Sequence, residues 1–213
     1  MTGSSAVLSR TLIVACLVSA GTASTPSGAF DRDDVDLARL ASNTHTVLEC
    51  ERCDFSGADL PGVRMNQARL SGALFTGANL RGVHLQNADL TEARCDDADL
   101  AAAYLYRTSM RGASLVAVDL TYAKLAQSDF SGAELSRANL TRVKLYDTDL
   151  SSAVLKNAKL TGAVLRNVNL TKADLSGANL GGAKLDDTST ADAVLCHTVL
   201  PDDTVSDRDC PTN

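Results

Sequence analysis

The sequence predicts an all-β solenoid that bends every five residues around a narrow apolar axis. Three observations lead there. A large apolar residue recurs at every fifth position from Phe55 to Leu185 without an insertion: 27 positions, filled 21 times by Leu and otherwise by Phe55, Met65, Phe75, Cys95, Met110 and Phe130. Two residues before each stands a small side chain, Ala at 18 of the 27 and Val, Thr, Ser or Cys at the rest. A period of five matches neither the helix, at about 3.6 residues per turn, nor the strand alternation of about 2, so no ordinary element keeps both positions on one side. A chain that turns a corner every five residues does, with the large residue filling the axis and the small one letting opposite walls approach. Glycines such as Gly57 and Gly132 fall two residues after a large position, where the backbone must bend.

Units such as Ala58-Asp59-Leu60, Ala78-Asn79-Leu80, Ala88-Asp89-Leu90, Ala138-Asn139-Leu140 and Ala173-Asp174-Leu175 resemble the pentapeptide-repeat family over about residues 50 to 187. The resemblance implies a right-handed quadrilateral β-helix with four pentapeptides in each coil. Coils paired at the sheet spacing of roughly 4.8 Å then make a rod of about seven coils, on the order of 32 Å long. The motif is highly specific for fold and poorly specific for function.

The flanking segments complete the expected organisation. Residues 1–23 read as an export signal: Arg10 precedes the apolar run Thr11 to Ala20, and small residues follow in Val18-Ser19-Ala20 and Gly21-Thr22-Ala23. The run is too short to span a bilayer, and no other stretch of the sequence is long and apolar enough to do so. Ile13-Val14-Ala15-Cys16 resembles a lipobox, but the segment before Cys16 is short and the residues after it stay apolar, so a lipid anchor is the lesser reading. Residues 24–30 form a linker and 31–52 an N-terminal cap, in which acidic residues precede Val35, Leu37, Leu40 and Ala41 at helical spacing. That spacing predicts a short amphipathic capping helix over the open edge of the first coil. The β-helix proper occupies 53–187; the register then breaks at Thr190, and 188–213 closes the far end.

Export lets cysteines pair. Without Cys16 five remain, Cys50, Cys53, Cys95, Cys196 and Cys210, and an odd number leaves at least one free or joined to another molecule. Leu195 to Cys210 resembles the Cys-flanked C-terminal loop of exported pentapeptide-repeat proteins, which implies a Cys196–Cys210 disulfide contributing roughly 3 kcal/mol in the chain-entropy picture. Cys50-x-x-Cys53 invites a redox or zinc reading, but both residues fall in inward phases, which favours a structural disulfide or buried thiols. Cys95 replaces a central Leu and reads as a buried free thiol.

Catalysis finds no support. His45, His84 and His197 are scattered without metal-like partner spacing, and no Ser nucleophile has a His and Asp set around it. Twenty residues to a coil bring Asp59, Asn79, Asp99, Asp119 and Asn139 into one outward column, where the alternation with Asn reads as a ladder that limits repulsion between rungs. No enzyme, cofactor or metal site is expected.

Sorting outward residues onto the four walls distributes the charge. The wall centred on Leu85, Leu105 and Leu125 carries Arg64, Arg107, Lys124, Lys144, Arg166 and Lys184 against Asp147, Asp186 and Asp187, a net +3. The other walls come to −2, 0 and −1, and the acidic excess of the chain, net −6 in all, lies in its two ends. Cytosolic relatives of the family resemble duplex DNA and occupy DNA gyrase. A mimic of a duplex, which carries one charge per roughly 1.7 Å, would need something like 20 negative charges along its sides. A rod with neutral sides lacks them, so a DNA-mimic modulator of a type II topoisomerase is the runner-up, and a thiol redox protein using Cys50 and Cys53 a third reading. The positive wall is the better lead. Arg64, His84, Tyr104, Lys124, Lys144 and Lys184 share one column, with Tyr106 and Tyr146 beside it, and together they form a candidate strip for an unknown protein or an anionic or polysaccharide partner. Nucleic acid is a poor candidate outside the cell. The expected function is that of an exported, non-catalytic rigid scaffold or interaction module.

Overall fold

Each pentapeptide places three residues on a wall and two on a corner, and the corner is built as a type II turn. The carbonyl of the central residue accepts the N–H three residues on, as from Ala58 to Phe55 at 3.0 Å and from Ala123 to Leu120 at 2.9 Å. The second corner residue takes the positive φ this turn demands. Glycine serves at Gly132 (φ 66°), yet Ala102 (φ 58°), Tyr122 (φ 60°) and Arg137 (φ 61°) hold the same conformation. Glycine is therefore favoured at the corners and not required, because pairing to the coils on either side fixes the bend.

The computed structural model describes residues 47–211. Across it, each wall residue pairs in parallel with the residue twenty further on, as Asp59 with Asn79, Asn79 with Asp99 and Tyr104 with Lys124. A corner every five residues and a repeat of twenty make four walls. The longest strands fall on one of them: β1 (Lys144–Tyr146), β2 (Val164–Arg166) and β3 (Lys184–Asp186) form a parallel sheet in the order β1-β2-β3, with Leu145, Leu165 and Leu185 in register.

The axis is dry and closely filled. Leu70, Leu120, Leu155 and Leu175 are fully buried, as are Ala73, Ala113, Ala133 and Ala153 at the small positions. Polar residues enter this core in one column at Thr108, Ser128 and Thr148 and in another at Thr198, and each hydroxyl donates to the carbonyl of a central leucine in the coil before: Leu85 at 2.7 Å, Leu105, Leu125 at 2.8 Å and Leu175 at 2.8 Å. Satisfied in this way, the hydroxyls enter without an orphaned polar atom.

The far end departs from the sequence expectation. The register does not break at Thr190: Asp174 pairs with Val194 and Asn179 with Val199 at the same twenty-residue interval, and Leu195 is buried. Ala193 and Leu195, then Thr198 and Leu200, resume the five-residue phase, so only the quintet centred on Thr190 loses its apolar plug while its neighbours carry the coil past it. There the turn admits a hydroxyl: the Val168 N–H donates to Thr188 Oγ1 at 3.1 Å, which donates to the Leu165 carbonyl at 3.3 Å. The chain finishes as an antiparallel hairpin of β4 (Thr198–Val199) and β5 (Val205–Ser206), a short strand pair that ends the solenoid. At the near end, parallel pairing already joins Glu49 to Arg69. The export signal expected at 1–23, the linker expected at 24–30 and the capping helix expected from Asp31 to Asn43 lie outside the described residues, among which there is no helix.

Candidate binding wall and the cysteines

Three walls share a local device that the fourth lacks. On two of them Asp or Asn stands just before most central residues, on the third Asp54, Glu134 and Asp174 do so, and the side chain accepts the first corner N–H, two residues on. Examples are Asp89 to Thr91 at 2.9 Å, Asp119 to Thr121 at 2.8 Å and Asp174 to Ser176 at 3.0 Å. This is an Asx turn, and it satisfies a donor that the type II turn leaves free. Asp54 shows its electrostatic consequence. Hydrogen bonds from the Ser56 side chain and backbone hold its carboxyl below the ordinary value. On the wall centred on Leu85, Leu105 and Leu125 the same position holds Arg64, His84, Tyr104, Lys124, Lys144, Val164 and Lys184, with no Asp or Asn in any coil.

The structure assembles that column as the twenty-residue repeat requires, each member pairing with the next from Arg64 through Lys184. Its rings are engaged within the column. His84 and Tyr104 stack with centroids 4.5 Å apart and planes 7° from parallel, and Lys124 Nζ lies 4.1 Å from the centre of the Tyr104 ring. Both faces of Tyr104 are thus occupied, and edges and polar tips point outward. Tyr106 donates to Gln127 Oε1 at 2.7 Å, which also accepts from Arg107 Nε at 2.8 Å, and the Arg107 guanidinium lies 5.0 Å from the Tyr106 ring centre. Tyr146 is half-buried in β1. Among the described residues, each other wall has at least one of its cations in an ion pair, such as Arg81–Asp99 at 3.2 Å, Lys156–Asp174 at 3.1 Å and Arg69–Glu49 at 2.9 Å, whereas none of the six cations of this wall is in one.

Two further residues belong beside the strip, and sorting by walls hides them because they sit on the corner. Tyr122, with its side chain 57% exposed, stands next to Lys124, and Arg142 Nη1 donates to its hydroxyl at 3.3 Å. Sorting by corners reveals them: the two outward residues that close the preceding wall, taken with the column itself, contain no Asp or Glu from Pro61 to Lys184, while Arg64, Arg81, Lys124, Arg142, Lys144 and Lys184 all lie exposed along it.

The cysteines make a separate set. Cys50 and Cys53 stand at an S–S distance of 1.98 Å, and Cys196 and Cys210 at 2.09 Å. Cys196, His197 and Cys210 bring donor atoms within 4.8 Å of one another, but sulfurs joined to each other offer no thiolate to a metal. His197 Nδ1 instead meets Asp207 Oδ1 at 2.8 Å. Cys95 is the free cysteine among the described residues, and burial, with a smaller contribution from the Asp96 charge, pushes its thiol up to about 12. Native protein should therefore resist alkylation at Cys95 at neutral pH and react only when unfolded, as a mass shift measured with and without denaturant will show. Because the folded value lies above the unfolded one, the thiol leaves stability unchanged below about pH 9. Above that it favours unfolding by about 1.4 kcal/mol per pH unit until the folded value is reached.

A four-walled parallel coil with a large and a small inward residue in every quintet defines a solenoid of the pentapeptide type. The family model for pentapeptide repeats matches in eight copies at residues 49–87, 78–115, 113–151 and 148–187, and the chain belongs to the pentapeptide repeat family. The fold of that family is a right-handed β-helix. Solved structures similar to the chain include HetL, a pentapeptide repeat protein involved in heterocyst differentiation regulation from the cyanobacterium Nostoc, at 26% identity and TM-score 0.36 over 80% of this chain and 98% of HetL. They also include trypsin-treated QnrB1, a plasmid-mediated fluoroquinolone resistance protein, at 21% identity and TM-score 0.44 over 69% and 84% of the two chains. A pentapeptide repeat protein from the Arabidopsis thaliana thylakoid lumen matches at 23% identity and TM-score 0.27 over 73% and 77%. No curated protein sequence matches the chain.

Proposed function

We propose that the protein is an exported, non-catalytic interaction module whose basic wall docks an anionic partner. The observation that carries this reading is the column from Arg64 to Lys184. Apart from Val164 it holds cations and rings where the other walls carry corner-capping carboxylates or amides, and among the described residues its cations are in no ion pair. Local rules of a fold are relaxed most readily where function acts on the residues. Recognition here works by charge and hydrogen bonds at side-chain tips, since both faces of Tyr104 and one face of His84 are engaged inside the column. Two cysteine pairs at bonding distance support an oxidising compartment, and no helix among the described residues is long and apolar enough to cross a membrane.

Immobilised dextran sulfate in about 0.1 M salt, where the screening length is about 10 Å, tests the wall. The wild-type chain should be retained, the variant Lys124→Glu with Lys144→Glu should flow through with an unchanged melting curve, and Arg137→Glu on another wall should behave as wild type. Equal retention of all three proteins would remove the assignment.

A further inference from the structure

The corner edge beside the column is more sharply built than the wall itself, and we infer that it is the docking edge for a linear acidic polysaccharide carrying one carboxylate per sugar ring. The inference rests on the reading of this side of the rod as anion-binding and names the anion.

Three features lead to that partner. The first is density of charge. Arg64, Arg81, Lys124, Arg142, Lys144 and Lys184 are strung over six coil spacings, about 29 Å, along a corner and column that hold no Asp or Glu, and of the six Arg81 alone is in an ion pair among the described residues, with Asp99 of the adjoining column. That averages one cation for roughly each 5 Å rung. A nucleic acid duplex would bring about 17 phosphates to the same length and leave most of them unmatched. A 1,4-linked uronic acid chain advances per ring by a distance close to the coil spacing and brings one carboxylate each time, so it matches that average, with Arg142 and Lys144 sharing one rung and the rungs of Tyr104 and Val164 carrying no cation.

Shape is the second feature. A corner of a square rod is convex, and a convex edge buries little area against a globular partner, far below the roughly 800 Å² per side of a standard protein interface. A flexible linear chain can follow the edge along its length.

The third is Tyr122. It is the most exposed aromatic among the described residues, at 57%, and it sits mid-edge between Lys124 and Arg142. A pyranose ring laid on an aromatic face uses such a side chain. Nucleobases would seek the same stacking, but both faces of the neighbouring Tyr104 ring and one face of His84 are taken.

Tyr122 holds φ 60°, a corner position that glycine occupies at Gly132 and that bulky residues such as Arg107, Arg137 and Arg142 also enter at a cost in strain, so the conformation bears on the test and not on the choice of partner.

The variant Tyr122→Gly separates function from folding, because it relieves the strain and removes the platform together. Binding of the full chain to polygalacturonate is measured by calorimetry and affinity electrophoresis, with fully methyl-esterified polygalacturonate as the uncharged control. Wild type should bind the acid form and ignore the ester. Tyr122→Gly should raise the melting temperature while weakening binding about fivefold, and Lys124→Glu with Lys144→Glu should weaken it by at least about tenfold. Val164→Lys, which fills the one aliphatic gap in the column, should strengthen it. Retention on dextran sulfate without binding to polygalacturonate would overturn the polysaccharide assignment and leave the basic wall standing; failure on both would overturn the two together. Binding that is indifferent to Tyr122→Gly would also overturn the docking edge.

Discussion

Ala123→Asp is expected to abolish the cooperative fold at neutral pH. Ala123 is 1% exposed and faces the axis between Ala103 and Val143, both at 0%, in the coils below and above. A carboxylate there has neither water nor a cation, and an unpartnered buried charge costs about 3 to 5 kcal/mol or more, comparable to the whole stability of many domains. The site cannot swell to admit water, since each coil is tied to its neighbours by backbone pairing on every wall. The group will escape part of the penalty by keeping its proton, so its value in any folded form lies above the ordinary carboxyl value near 4. A raised acid stabilises relative to the unfolded chain as pH falls, so the defect should be severe at pH 7 and smaller near pH 4. Circular dichroism and urea titration at both pH values will register this; a wild-type unfolding curve at pH 7 would place Ala123 on the surface.

Leu120→Ala is expected to cost about 2 to 5 kcal/mol. Leu120 is fully buried, and its neighbours along the axis are Leu100 and Leu140, at 1% and 2% exposure. Collapse into the void would require those side chains to slide along the axis, which the paired coils prevent, so the upper part of the range applies. The urea midpoint should fall with little change in slope, because the surface exposed on unfolding hardly alters. A loss under about 1 kcal/mol would mean that the leucine column does not fill a packed axis.

Much of this architecture is legible in the sequence because its determinants are local and periodic. A Leu every five residues with Ala two before it dictates the corner spacing, and the coil of twenty then sets every outward column, so the alignment of Arg64 with His84 and Lys124 with Lys144 follows by counting. What the counting misses depends on side-chain geometry or on conformations that sequence does not mark. Counting places Tyr104 in the strip but does not show that its ring stacks on His84 and meets Lys124. Tyr122 and Arg142 fall on a corner and escape a sorting by walls, although the lack of Asp and Glu at that corner and in the column beside it is countable in the sequence. Positive φ at Ala102 and Arg137 has no residue-level signature, since the neighbouring coils impose it. Thr190 looks like the end of the repeat because one apolar plug is absent, yet backbone pairing carries the coil across the gap to Val199.

The claim beneath both the fold and the docking edge is that residues twenty apart lie directly above one another on one wall. Paired cysteines test it most directly, since a disulfide forms only across a Cα separation of about 4.4 to 6.8 Å and adjacent strands stand about 4.8 Å apart. Under mild oxidation, Lys124→Cys with Lys144→Cys should link within one chain, as peptide mapping will read, while Lys124→Cys with Glu134→Cys, on opposite walls, should not. Linkage of the second pair and not the first would contradict the coil of twenty, and with it the placement of every cation along the edge.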